Sequence, residues 1–527
     1  MKTTLLEFLA IACLAVACSN GSKTFTEAVN PLTYTDIPDN DLIRVGDVYY
    51  MVSTTMYFCP GAPVMRSEDL VHWRICGYIY DTLADDAIYR LEGGRNAYGK
   101  GQWATSIRYN DGWFYALFVA NEYHKTFIFK TKDIENGPWE RTDIDDAFYH
   151  DASMLWEDGK LYVVYGNGDL MLVELDPLTY KQKAAPELIV EAPREGMGLR
   201  AEGSHFYHIG DWYYILEIDW PAGGLRTETC WRSKKIEGPY ESRTVLRGDL
   251  GDGYAAGVAQ GGIVQTQYGD WYAIMFQDHG AVGRIPTVQP VKWEDGWPVM
   301  GDGGKPMKDV TVRLQPSGED YVWADDDFDS GELAPVWQWN HMPADPLWSL
   351  GERPGYLRLR AGIPASGILE ARNSLTQRTA GPACQSWVKL DLKGLENGDR
   401  AGICAFQSNN CCIGVEAAPD GTRNLVIREQ TAGSGVRSER VVFSTPWQAG
   451  HIFLKITYKF QETADGDDLA FFSYSEDGVS WTQVRGYALR MKYTLDLFTG
   501  YRTALYCYNP SGAGGYADFD FFRQEII

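Results

Sequence analysis

The sequence predicts an all-β protein of two domains, a five-bladed β-propeller followed by a β-sandwich, and three observations carry that prediction. A Gly/Asp or Asp/Gly turn running into a stretch rich in Tyr, Trp, Val and Ile recurs five times: 45-VGDVYYMV-52, 110-NDGWFYALF-118, 157-EDGKLYVVY-165, 209-IGDWYYILE-217 and 268-YGDWYAIMF-276. Turns of this kind open β-hairpins. A second phrase marks the outer half of three repeats, as 67-SEDLVHW-73, 131-TKDIENGPW-139 and 233-SKKIEGPY-240. Past about Asp302 the repeat stops and short alternating runs follow, among them 355-GYLRLRAG-362, 386-SWVKLDLKG-394, 452-IFLKITYKF-460 and 468-DLAFFSYS-475. Separated by Gly, Asp and Asn turns, these runs are the pattern of a sandwich.

Each element has its own warrant. Residues 1–22 carry Lys2, an apolar run from Phe8 to Ala17 and small residues at the end, which is an export signal too short to span a bilayer permanently. Its 14-LAVAC-18 resembles a bacterial lipoprotein processing site, with Cys18 as the acylated residue; a soluble secreted protein is the alternative. The expected location is therefore the periplasm, the cell surface or the medium, with membrane contact only through such an anchor. Residues 23–314 form the propeller, since the repeat spacing of roughly fifty to sixty residues gives each repeat about four strands, and stacking blades around an axis buries both faces of every sheet. Residues 315–327 read as an acidic connector and 328–527 as the sandwich.

Composition narrows the partners. Lys and Arg total 48 against 71 Asp and Glu, a net charge of −23, which repels phosphate backbones and excludes nucleic acid as a partner. The 18 Trp and 32 Tyr suit both β-structure and stacking against sugar rings. Eight cysteines outside the leader show no CxxC or Cys/His ligand spacing, so they read as small buried hydrophobes, with a disulfide possible in an exported chain.

The stretch 36-DIPDNDLIRVGDVYYMV-52 crowds Asp36, Asp39 and Asp41 in front of a strand. In a propeller the innermost strand of each blade lines the axis, so equivalent positions converge. Counting some nine to eleven residues back from the strand after each Gly/Asp turn gives Asp39, Trp103, Asp151, Glu202 and Gln260. Three of the five are acids on different blades. Carboxylates crowded in a partly desolvated channel split their pKa values, so that one holds a proton while another stays ionised. That is the division of labour of glycosidic bond hydrolysis, and acids on separate blades leave room for the attacking water of an inverting mechanism.

The phrases 38-PDND-41, 53-STTMYFCPG-61, 103-WATS-106, 150-HDAS-153, 201-AEGSHFY-207 and 283-GRIPTVQPVKWEDGWP-298 resemble glycoside hydrolase family 43, in order across the whole propeller. The resemblance implies an inverting, five-bladed enzyme acting on xylans and arabinans, with Asp39 as base, Asp151 as the carboxylate that tunes the acid, and Glu202 as general acid. It also implies substrate contacts from Arg284 and Phe58, and from Met56, which stands where relatives place an aromatic wall and so softens the innermost subsite. Trp103 either stacks on a sugar or packs, and His150 either bonds the sugar or orients Asp151. Many relatives carry a channel His in the fifth blade; this chain has Gln260, a poorer ligand, so neither a catalytic metal nor another cofactor is expected. The phrase 335-PVWQWNHMPADPLWSLGERPGYLRL-359 is similar to the C-terminal concanavalin-like sandwich, of jelly-roll type, found on xylosidases and arabinofuranosidases of the family. Its segment 341-HMPADPLW-348 either approaches the propeller mouth or belongs to a purely stabilising domain.

The expected activity is exo-acting release of a terminal pentose, α-L-arabinofuranose or β-D-xylose, from plant cell-wall glycans. A carbohydrate-binding propeller without catalysis is the alternative, which loss of a channel acid would favour; none is missing. The retaining fructan-cleaving family 32 would need Asn-Asp-Pro-Asn and Arg-Asp-Pro, and neither phrase occurs.

Overall fold

The structure, a computed structural model, describes residues 24–527 apart from 434, 435, 462, 464, 465 and 513. The export segment and Cys18 lie outside the described residues. No helix among those described is long and apolar enough to cross a membrane.

Five antiparallel four-stranded sheets, each made from one continuous stretch of chain, form the blades. The recurring phrases are their first hairpins. Val45 pairs Val48, Asn110 pairs Trp113, Glu157 pairs Lys160 and Ile209 pairs Trp212 across two-residue turns. In blades 2 and 3 both turn residues take positive φ, Asp111 and Gly112 at 47° and 79°, Asp158 and Gly159 at 48° and 74°. That backbone matches the twist of the flanking strands and explains the Asp-Gly choice. The ring is closed outside the blades: Thr26–Val29 pairs Asp309–Val312, and the Asn30 carboxamide donates to Val288 O (2.8 Å) and accepts from Val288 N (2.9 Å) in blade 5.

Behind the propeller lie two stacked sheets. Strands such as Ala383–Asp391 and His451–Lys459 alternate buried and half-buried side chains, which places Val388, Leu390, Leu454 and Ile456 in the core between the sheets. The other sheet faces the propeller and takes one strand from it. Phe58–Cys59, from a loop of blade 1, pairs antiparallel with Trp339 and Asn340 at the sheet edge. Phe58 is thus corrected from a sugar contact to an interdomain one: it is fully buried and lies 3.7 Å from the Arg502 guanidinium. Burial, with Arg378 nearby, lowers Arg502 to about 9. The described cysteines are all free thiols.

Candidate active site

Three of the five residues that share a sequence register also share a backbone conformation. Asp39 and Asp151 sit two positions ahead of the inner strands Asp41–Val45 and Ser153–Glu157, at φ +53° and +47°. Gln260, at φ +60°, lies at a register shift in Val258–Gln265. In blade 4 the left-handed position passes to Gly203 (φ +66°), immediately after Glu202 and within an irregular stretch of Met197–Ile209. These conformations are costly for L side chains. Their common effect is to break the pleat where each inner strand meets the axis. A Cβ on Gly203 would lie 2.7 Å from the Gln260 side chain, so only glycine fits between the acid and its neighbouring blade.

The lining of a narrow cavity on the axis includes Asp39, Asp41, Asp151, Gly203, Ser204 and Gln260. Asp151 is poorly supplied with donors: Oδ2 accepts Gly203 N at 3.2 Å and Oδ1 has no hydrogen bond. Burial raises its pKa to about 7, with Glu202 and Asp39 adding to the rise and His150 opposing it. His150 Nε2 lies 3.8 Å from Asp151 Oδ1 and 3.7 Å from Glu202 Oε2. Burial disfavours its charge, but Asp151, Glu202 and Asp39 outweigh that and raise it to about 9. The cluster therefore retains a proton into the neutral range. Glu202, half-buried at the mouth, accepts 2.7 Å from Asn167 Nδ2 of blade 3. His150, Asp151 and Glu202 offer ligand atoms within 4.8 Å of one another, a set able to hold a metal ion.

On the far side, Asp39 is buried and accepts 2.5 Å from Arg284 Nη1. Arg284 Nε is 3.5 Å from Asp278 Oδ1. Burial works against its charge, yet Asp39, Tyr493 and Asp278 hold it firmly protonated. Trp103 packs between the two sides, its ring centre 5.7 Å from that of His150 and 5.5 Å from that of Phe498. Phe498 belongs to the sandwich and covers Arg284 at 4.6 Å. The sandwich thus reaches the site through Tyr493 and Phe498, not through 341-HMPADPLW-348. His341 in that segment is fully buried, accepts Ala97 N at 2.9 Å and is lowered to about 3 by burial. Met56 is also corrected: it is buried in the hydrophobic cluster that joins blades 1 and 2 to the sandwich, with no surface to offer a sugar.

The remaining acids of the opening cluster do other work. Asp36 Oδ1 accepts Arg284 N (2.8 Å), and its Oδ2 accepts Gly500 N (2.9 Å) and Thr499 Oγ1 (3.2 Å) of the sandwich. Asp41 Oδ2 accepts Ile107 N (2.9 Å) and Arg108 Nη1 (2.6 Å) of blade 2. Arg108 continues to Ser153 Oγ (2.6 Å) in blade 3 and to Phe206 O (3.3 Å) in blade 4.

Residues 28–298 match the glycosyl hydrolases of family 43, and residues 325–525 match the β-xylosidase C-terminal concanavalin A-like domain. The chain belongs to glycosyl hydrolase family 43. It is 27% identical over 554 residues to a β-xylosidase of Formosa agariphila, covering 94% of this chain and 90% of that one. It is 33% identical over 365 residues to a non-reducing end α-L-arabinofuranosidase of Bacteroides ovatus, covering 65% and 66%. A bifunctional GH43-CE structure from Bacteroides eggerthii superposes with a TM-score of 0.86 at 40% identity, covering 95% of this chain, which spans 64% of that longer one. This family 43 chain is a glycoside hydrolase built as a five-bladed propeller with a concanavalin-like sandwich.

Proposed function

We propose that the protein is an exo-acting, inverting glycosidase that releases a terminal α-L-arabinofuranose or β-D-xylose from plant cell-wall glycans. The observation that carries this reading is the unequal environment of three acids from blades 1, 3 and 4: Asp39 and Asp151 line one narrow cavity on the axis, and Glu202, next to the lining residue Gly203, is joined to Asp151 through His150. Asp39, deep and paired with Arg284, is the base that draws a proton from water on one face of the sugar. Glu202, nearer solvent, is the acid on the side where the leaving group departs. Asp151, raised to about 7 and joined to Glu202 through His150, keeps a proton available to that acid. The cover of Phe498 over Arg284 favours end-on entry of a chain terminus. Similarity to a β-xylosidase and an α-L-arabinofuranosidase supports a pentose as the released sugar.

Hydrolysis of aryl α-L-arabinofuranoside and aryl β-D-xyloside by the wild type and by Glu202→Gln tests the activity. Product NMR should show the inverted anomer first; initial retention rejects the assigned roles. Cleavage of neither glycoside, nor of any arabinan or xylan oligomer, would leave a binding propeller. For the leader, we propose export with acylation at Cys18, which incorporation of labelled palmitate in the wild type and its loss in Cys18→Ala would test.

A further inference from the structure

Blade 4 carries a second feature on the same hairpin as Glu202. Glu202 pairs Ile218, and Leu199 pairs Trp220, further along the hairpin from its turn. Residues 218 and 220 project from the same face of the strand, roughly 6–7 Å apart. That is close to the length of one sugar residue. Trp220 is the sole tryptophan among the exposed large apolar side chains of the described residues, at 38%. It is nevertheless fixed: Nε1 donates to Gly224 O at 2.9 Å, and the Arg226 guanidinium lies over the ring at 4.7 Å. Arg226 is itself buried and paired with Asp278, whose other oxygen faces Arg284 at 3.5 Å, and Arg284 holds Asp39. A chain of charged contacts thus ties this exposed indole to the base, while the hairpin ties it to the acid.

We propose that Trp220 is the platform for the leaving-group sugar, the residue that remains on the glycan after the terminal pentose is cut away. This rests on the catalytic reading above, because it places the leaving group on the Glu202 side of the bond. A rigid, half-exposed aromatic ring offers a flat apolar face to the C–H face of a sugar at little cost in side-chain entropy. Arg226 backs the ring from one side and leaves the remainder to solvent. The pocket on the axis would then select the sugar to be released, and Trp220 would select for a substrate that continues beyond it.

The test compares xylo- and arabino-tetraoses with the matching pentosyl fluorides, whose leaving group is a single atom and reaches no platform. Trp220→Ala should lower the ratio of kcat/KM for tetraose over fluoride about tenfold, and Trp220→Phe should recover most of it. An unchanged ratio overturns the proposal. Calorimetric titration of tetraose into Glu202→Gln, with and without Trp220→Ala, separates the two readings. Weaker binding in the double variant, in a protein whose wild type cleaves nothing, would retain the platform and reject the catalysis; equal binding, or none in either, would reject the platform.

Discussion

Asp39 and Asp41 stand two residues apart on one strand entry, and their surroundings differ in the number of donors supplied. Around Asp41 the fold delivers its own Leu42 N to Oδ1 (2.9 Å), with Ile107 N and Arg108 on Oδ2. A carboxylate satisfied in this way is an anchor, and through Arg108 it joins four blades. Asp39 and Asp151, which line the same cavity as Asp41, are undersupplied: Asp151 Oδ1 has no hydrogen bond, and Asp39 relies on a single arginine that also faces Asp278. Unspent hydrogen-bonding capacity beside a cavity is what a substrate and a water molecule can use. A buried acid's role is therefore set by the donors around it, not by its position on the axis.

Breaking each half separately sharpens the contrast. The largest effect is expected from Glu202→Gln, which should lower kcat on unactivated oligosaccharides by about 10³–10⁴-fold with little change in melting temperature. Asp41→Ala should do the opposite, costing about 3–5 kcal/mol in denaturant unfolding because Arg108 is left buried without its partner. Asp151→Asn should combine a loss of roughly 10²-fold in kcat with altered stability. The folded state raises the Asp151 pKa from 3.8 to about 7, so it binds a proton more tightly than the unfolded chain does. That contribution is complete below the lower value and is lost as pH rises through the upper one. The variant has no proton to lose, so its stability relative to wild type should improve between about pH 4 and about pH 7. Phe498→Ala should raise KM for the terminal sugar several-fold, roughly 1 kcal/mol, without altering the pH profile. Smallest of all, a divalent-metal chelator should leave kcat unchanged; loss of activity restored by a metal would make His150, Asp151 and Glu202 ligands rather than a proton-sharing cluster.

Much of the propeller was legible because its repeats are local. A tight turn with a residue at positive φ favours Gly and Asp wherever it occurs, so the Gly/Asp phrases announce the five first hairpins, four of them across two residues. The common register of Asp39, Asp151, Glu202 and Gln260 was readable for the same reason. Asn167 was not, since an asparagine in 166-GNGD-169 reads as an ordinary hairpin turn; only the neighbouring blade supplies Glu202 as its acceptor. The expected sugar contacts of Met56 and Phe58 are absent because this loop is drawn into the sandwich sheet. Tyr493 and Phe498 take its place at the mouth, from a loop tied to Asp36 by contacts spanning more than 460 residues of sequence.

By itself the sequence determined the strands, their turns, the count of blades and the acids that could face the axis, because those depend on side-chain alternation and local backbone preference. Which acid is starved of donors, which arginine holds the base and which loop of the second domain covers Arg284 follow from the packing of the folded chain. Those are properties of distances between segments remote in the chain, and no local preference of an amino acid encodes them.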